Sequence, residues 1–471
     1  MKQTSGFLWI ANRAAMQVVF CCLAVGWGHP QTLGPLPLLV PKIDKSGPSL
    51  KFDFPDMLVG VAEYEEGPTG TTVFYFPKGV KGAVDMRGGA PGELNAEILQ
   101  NAYERRMVSA VVFSGGSWYG LSAATGVANG LKKLRAAEGN VDLIAGVVGA
   151  IIFDVGGRRF SRVTPDDALG LAALGSAQSG WFPVGARGAG RFAMQGVYFH
   201  RGDGAENYAN WPHSGQGGAV RSIGPTKVGV FTVVNALGSI VDRNGKVVRC
   251  GRNEPGRDCP LISEKLKNFS PIKTTPPDTG GASANTTITL VVTNQKLPFW
   301  ELQRLATQVH SSMSRAIQPF ATAQDGDILY AVTTDEVDNS SLSAADLSVI
   351  ASELAWDAVL ASVPSIPERP KPLASKPSRD ALQKFVGTYE FYGGGRLIVG
   401  TEADILVAKF EGNGRIYFDK DKSYPITPAD NGLFIIEAPG REVLRFNEID
   451  GKVTGLMINP GPWEIRSSKN L

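Results

Sequence analysis

The sequence predicts an α/β domain followed by a small antiparallel β-barrel. Three observations point there. Between residues 51 and 361, β-branched apolar runs alternate with segments whose apolar residues recur at helical spacing. Pro364, Pro367, Pro370, Pro372 and Pro377 then interrupt any helix or central strand. Beyond them, short strand-like runs are separated by Gly, Asp and Asn turns. At 471 residues the chain has room for two or three domains.

The elements follow in order. Lys2 and Arg13 supply positive charge around "AAMQVVFCCLAVGWG", an apolar stretch too short to span a bilayer comfortably. Residues 1–28 therefore read as a signal peptide, cleaved near Gly28, and the product as exported to a periplasmic or extracellular space; an uncleaved anchor is the alternative. Cys21 is not preceded by a convincing lipobox. Residues 29–50 form a Pro-rich lead. In 51–362, "TTVFYFP", "SAVVFSG", "GVVGAIIFDV", "VGVFTVVNALGSIV", "TTITLVVTN" and "ILYAVTT" read as strands. Phe299, Leu302, Leu305, Val309, Met313 and Ile317 mark one helix, and "AADLSVIASELAWDAVLASV" a second. Residues 363–380 read as a semi-rigid linker. In 381–471, "VGTYEF", "RLIVG", "ILVAKF", "RIYFD", "LFIIE", "VLRF" and "VTGLMI" read as the strands of the barrel.

Composition narrows the function classes. The hydrophobic share of 43% and charged share of 20% are ordinary for a globular protein. A net charge of +2 points to neither nucleic acid nor an anionic membrane as partner, and the mature form has no predicted membrane span. With four His and four Cys, and no CxxC or HExxH spacing, neither a metal site nor a cofactor is predicted. Signal cleavage removes Cys21 and Cys22 and leaves Cys250 and Cys259 flanking "GRNEPGRD". A close pair in an exported chain suggests a disulfide across a short loop, worth about 2–3 kcal/mol at most.

"GASANTTIT", residues 281–289, runs from small flexible residues into a β-branched strand. The plain reading is a loop entering a buried strand. The sharper reading is cleavage between Asn285 and Thr286. A threonine hydroxyl is a weak nucleophile without a base beside it, and an N-terminal threonine carries its own α-amine. That amine titrates near ~8, close to operating pH. An Asn–Thr pair alone carries little information; its company decides.

"FDFPDMLVGVAEYEEGPTGTTVFYFPKGVKGAVDMRGGAPG", "FSGGSWYGLSAATGVANGL", "VVNALGSIVDRNGKVVR", "ANTTITLVVTN" and "QVHSSMSRAIQPFATAQDGDILYAVTTDE" resemble the DmpA-like (P1-type) N-terminal-nucleophile aminopeptidases. Within that group they are most similar to the nylon-oligomer endohydrolase branch. The resemblance spans roughly residues 50–361. It implies an αββα sandwich of the kind shared with ornithine acetyltransferase. It also implies a precursor that cuts itself, with the two chains staying together and assembling as a homo-oligomer of the cut heterodimer.

Carried over by motif, Thr286 is the nucleophile. Asn235 in "VVNALG" matches the family's asparagine, whose amide donates to the oxyanion, a role worth about 3–4 kcal/mol in other hydrolases. Asp325 and Asp327 in "QDGDILY" match paired carboxylates that orient the α-amine or hold a substrate amine. Tyr119 in "GGSWYGL" is a candidate for oxyanion or substrate contact. The plainer readings are a backbone turn at Asn235, turn chemistry at Asp-Gly-Asp and packing at Tyr119. One departure stands out. In "GAGRFAMQGVYF", Val197 occupies the position where the branch carries a lysine; Arg191, His200 and Arg201 are the candidates for the missing polar contact, and spacing selects none of them. The C-terminal part resembles the lipocalin-like domain attached to some secreted serine hydrolases.

The expected function is amide-bond hydrolysis through an acyl-Thr intermediate. The expected substrates are short peptides, including β-amino or D-residues, or ω-amino acid oligoamides. An acyltransferase of the ornithine acetyltransferase type, or a binding homologue that has lost catalysis, are the alternatives.

Overall fold

The computed structural model describes residues 38–469 apart from 55, 101–106, 142, 159, 201–210, 253–255, 268–284, 376, 413–416, 420–421, 439 and 441. The predicted signal peptide, residues 29–37 of the Pro-rich lead, Arg201 and the Gly-Ala-Ser-Ala lead-in to Asn285 lie outside the described residues.

The principal strands of the first part are β1 (Leu58–Tyr64), β2 (Thr69–Met86), β3 (Met107–Ser114), β4 (Val147–Ile151), β5 (Gln216–Ile223), β6 (Thr226–Asn235), β7 (Thr286–Gln295) and β8 (Ile328–Val337). With two short strands they build a ten-stranded sheet in which β4, β3, β2, β8, β7, β6 and β5 follow one another, and β1 pairs on the first half of β2. β2 is long enough to serve two neighbourhoods. Thr71–Tyr75 pairs with β3, the register breaks before Val80, and Lys81–Met86 pairs with β8.

That break lets the sheet fold over on itself. β8 and β7 separate β2 from β6 in the sheet, yet the rings of Phe74 and Phe231 lie 5.4 Å apart. Phe182 joins them at 5.9 and 5.0 Å. Val61, Val111, Phe113, Val233, Ile288, Leu290 and Tyr330 complete this inter-sheet core. Period-2 alternation sends the intervening residues outward, where helices cover them. On one outer face α1 (Ser122–Ala137) and α2 (Asp167–Gly175) pack together. On the other, α3 (Phe299–Ser312) and α4 (Ala344–Ala361) bury Leu302, Leu305, Val309, Leu347 and Ala351 against Val230, Val291, Leu329 and Ala331. The layers are therefore helix, sheet, sheet, helix, as the resemblance implies. Asp166 caps α2 by accepting from Leu169 N–H at 2.9 Å, and Ser343 caps α4 by accepting from Asp346 N–H at 3.1 Å.

Eight antiparallel strands close the barrel: β9 (Gly387–Phe391), β10 (Gly395–Glu402), β11 (Ile405–Gly412), β12 (Ser423–Pro428), β13 (Leu433–Ile436), β14 (Val443–Ile449), β15 (Lys452–Ile458) and β16 (Ile465–Lys469). The strand expected at "RIYFD" is absent over its described part, Tyr417–Asp419; Tyr417 and Phe418 are core side chains on a bend instead. β12 was not expected, because Pro425 and Pro428 weaken its strand signal. The barrel is packed with side chains, and Phe160, Ala186, Phe192 and Met194 of the first part belong to the same core. The proline-rich segment is hydrogen-bonded to the barrel: Leu373 N–H donates to Pro428 O at 3.0 Å and Asp430 N–H to Lys371 O at 2.9 Å. No helix among the described residues is long and apolar enough to cross a membrane.

Candidate active site

One edge of the sheet collects the end of β6 and the starts of β7 and β8. β7 opens on Thr286, Thr287 and Ile288, whose β-branched side chains favour extended backbone. Thr286 lies directly opposite Asn235, the last residue of β6, in antiparallel register. Directly opposed residues project to the same face. On that face Ile288 and Val233 enter the inter-sheet core. Thr286 and Asn235 thus stand together at the rim of the space between the sheet halves, both buried.

β8 runs parallel to β7, and the Asp325-Gly326-Asp327 turn precedes it. This turn lies along the Asn285–Thr286 peptide, with Asn285 and Asp325 forming a parallel bridge. Gly326 N–H donates to the Asn285 carbonyl oxygen at 2.9 Å, and the Thr286 hydroxyl donates to the same oxygen at 2.5 Å. A Cβ on Gly326 would sit 2.7 Å from Thr286 Oγ1 and 2.8 Å from Ala90 O, so only glycine closes the turn this tightly.

The two carboxylates are held differently. Asp325 accepts from Thr322 N–H at 3.0 Å, Thr322 Oγ1–H at 2.7 Å and Leu237 N–H at 3.3 Å. Asp327 accepts from Thr287 N–H at 2.5 Å and Ala321 N–H at 2.9 Å. Burial first, and the charge of Asp325 second, push the Asp327 carboxyl well above the usual carboxylate range. The "MRGGAPG" loop braces the turn from behind. Arg87 and Gly88 N–H groups each donate to Asp327 O at 3.1 Å, and Ala90 N–H to Asp325 O at 3.0 Å.

Asn235 Oδ1 accepts from Met194 N–H at 3.0 Å, and its Nδ2 donates to Phe153 O at 3.2 Å. A backbone N–H only donates and a carbonyl only accepts, so these partners fix which way the amide points. The amide carries a second N–H besides the one directed to Phe153.

Other expected residues fall nearby or apart. Tyr119 is 76% exposed in the 3-10 turn Ser117–Leu121, so it is not a packing residue. That turn is pinned to the segment around Phe153 by Ser117 N–H to Ile152 O (3.0 Å) and Gly116 N–H to Asp154 Oδ1 (2.8 Å). Val197 is buried beside the site: Gly196 N–H bonds Gly238 O at 2.7 Å and Tyr198 N–H bonds Leu237 O at 2.8 Å. An apolar side chain thus stands where the resemblance expects a cation. Arg191 does not replace it, being engaged by Glu63 and the Pro462 carbonyl. The His200 side chain lies outside the described residues. Cys250 and Cys259 form a disulfide (S–S 2.18 Å) in a separate small core with Val241 and Val247. Among the described residues no cluster of three or more His, Cys, Asp or Glu is arranged to hold a metal.

Sequence reasoning missed Gly326, Met194 and Phe153 as parts of the site. Their contributions run through backbone groups, which leave no side-chain signature; the glycine of Asp-Gly-Asp and the paired glycines of "MRGGAPG" are the visible traces.

Residues 52–366 match the family description Peptidase family S58, and the match stops before the first strand of the barrel. A putative NylC-analogous protein of Agromyces sp. is 41% identical over 326 residues, covering 66% of this chain and 98% of that protein. The 6-aminohexanoate-oligomer endohydrolase of Paenarthrobacter ureafaciens is 41% identical over 326 residues, covering 66% of this chain and 85% of its own. An uncharacterized aminopeptidase of Mycobacterium leprae is 33% identical over 290 residues, covering 57% and 72%. With two thirds of its length matched in this way, and with the Asn235, Thr286 and Asp325–Asp327 constellation assembled inside the match, the chain belongs to peptidase family S58 and is an amide-bond hydrolase.

Proposed function

We propose that the chain cuts itself between Asn285 and Thr286, and that the freed N-terminal Thr286 hydrolyses oligoamides of ω-amino acids or short peptides. The observation that carries this is the convergence of the Thr286 hydroxyl and the Gly326 N–H on one carbonyl oxygen, that of Asn285. Polarisation by Gly326 makes the carbonyl carbon electrophilic, and charge developing on the oxygen meets a donor already in place. Thr286 Oγ1 bonds to the Asn285 carbonyl carbon as its proton leaves. The C–N bond breaks, and the nitrogen departs protonated as the Thr286 α-amine. Water then hydrolyses the ester, returning the hydroxyl and leaving an Asn285 carboxylate.

In turnover the α-amine takes the hydroxyl proton while Oγ1 attacks the substrate amide. It passes that proton to the departing amine, and water releases the acyl group. Asn235 directs its second amide N–H at the oxyanion, and Asp325 and Asp327 hold the ammonium form of the α-amine. Tyr119 faces incoming substrate. The substrate class rests on the 41% identical 6-aminohexanoate-oligomer endohydrolase. The apolar Val197 supports a second reading, a homologue with impaired catalysis, since no lysine compensates the two carboxylates at that position. The protein is exported, works without a cofactor, and assembles as a homo-oligomer of the cut heterodimer.

Thr286→Ala tests this reading. The expected result is one uncut chain that releases no 6-aminohexanoate from its linear oligomers. A Thr286→Ala chain that still splits at this bond would overturn it.

A further inference from the structure

The barrel lies outside the family match, yet it grips the segment that orients Asn235. Trp463, on the loop before β16, is buried, and its ring stacks on His213 with centroids 4.7 Å apart and planes 15° apart. Its indole N–H donates to Ser214 O at 3.2 Å. The Arg249 guanidinium covers its ring at 5.2 Å and also donates to His213 O at 3.2 Å.

Two hydrogen-bonded routes lead from this contact to the site. Along the first, Ser214 N–H donates to Ala193 O at 3.0 Å and His213 Nδ1 bonds the same oxygen at 3.2 Å. Met194 forms a bridge with His213, and Met194 N–H holds Asn235 Oδ1. Along the second, Ser214 Oγ–H donates to Val234 O at 2.5 Å and Val234 N–H to Gly215 O at 3.0 Å. Val234 immediately precedes Asn235. The same 193–197 stretch carries Val197, where the family resemblance expects a charged anchor. Position there rests on packing and backbone bonds, and the barrel supplies part of both.

We propose that Trp463 of the barrel is a positioning residue for the Asn235 amide, which makes the barrel a working part of the hydrolase. The proposal rests on the reading of Asn235 and Thr286 given above. Misplacing a catalytic group by about an ångström slows a reaction by orders of magnitude, so partial loosening of this relay is read as a rate effect.

The test uses the full chain as wild type, Trp463→Ala, Trp463→Phe and Arg466→Ala. Arg466 also ties the barrel to the first part, through Glu65, but lies off both routes. Two quantities are measured: the first-order rate of cleavage at Asn285–Thr286, and amide hydrogen exchange of peptides covering 193–197 and 230–235. Trp463→Ala is expected to slow cleavage roughly tenfold and to speed exchange in both peptides by a similar factor. Trp463→Phe keeps a ring against His213 and should stay within about threefold of wild type. Arg466→Ala should match wild type in both measurements. Wild-type cleavage and exchange in Trp463→Ala would overturn the proposal, as would equal losses in Trp463→Ala and Arg466→Ala. If the wild-type chain itself stays whole, the self-cutting reading falls, and exchange alone decides the coupling. Faster exchange specific to Trp463→Ala keeps it, and unchanged exchange removes it.

Discussion

Replacing Gly326 with alanine tests the role given to its backbone N–H. The new Cβ would fall 2.7 Å from Thr286 Oγ1, 2.8 Å from Ala90 O and 3.3 Å from Pro91 Cα. Ordinary contact begins near 3.4 Å, so the turn must back away from the hydroxyl by about 0.7 Å. Two of the three obstacles are backbone or backbone-attached atoms of the braced 90–91 segment and do not yield like a free side chain. A retreat of that size stretches the 2.9 Å bond from Gly326 N–H to Asn285 O beyond hydrogen-bond range. Losing one preorganised oxyanion donor slows acyl transfer by about 10²–10³, equivalent to about 2.7–4 kcal/mol of barrier. The assay is intact mass against time for freshly purified precursor at neutral pH. Gly326→Ala should remain uncut on the timescale in which wild type is fully processed. Cleavage of Gly326→Ala at the wild-type rate would refute the assignment of this N–H.

Three further predictions concern charge and burial. Asp325→Asn and Asp327→Asn each turn one oxygen that accepts a backbone N–H into a donor. Each should lose about 1–3 kcal/mol of stability by chemical denaturation, remain folded, and process more slowly; normal processing by both would reduce the Asp-Gly-Asp run to a turn. His213 is fully buried, and burial first, with Arg252 second, holds its pKa well below the usual value of 6.5. The unfolded chain therefore binds a proton below about pH 6.5 that the folded chain refuses, so this group's stabilisation is lost as pH falls, by up to about 1.4 kcal/mol per pH unit. His213→Phe should flatten the stability profile over that window in urea titrations, and an unchanged slope would show that His213 does not set it. Phe231→Ala opens the inter-sheet core and should cost about 3–5 kcal/mol; a loss below about 1 kcal/mol would contradict the folded-over sheet.

The elements that sequence revealed are those whose own side chains carry the signal. Leu302, Leu305 and Val309 mark the buried face of α3 because burial repeats every three to four residues there. Thr286–Val292 marks β7 because β-branched residues crowd a fully buried strand. Periodicity says which face is buried but not what buries it, so the fold-over that places Phe74 on Phe231 came only through the resemblance. The four polar candidates were legible as motifs, and the structure brings Thr286, Asn235, Asp325 and Asp327 to one edge. The donors that complete the site, Gly326 N–H and Met194 N–H, were not legible, because every residue but proline has such a group. Nor was the seating of Trp463 on His213, since a tryptophan before a terminal strand reads simply as barrel core.

The central claim is that this chain makes its own catalytic N-terminus at Thr286. Intact mass of the purified wild-type protein, with N-terminal sequencing of each species, tests it most directly. The account predicts two chains, the second beginning Thr-Thr-Ile-Thr-Leu-Val-Val-Thr-Asn. A single chain running unbroken through Asn285–Thr286 after prolonged incubation at neutral pH would contradict it.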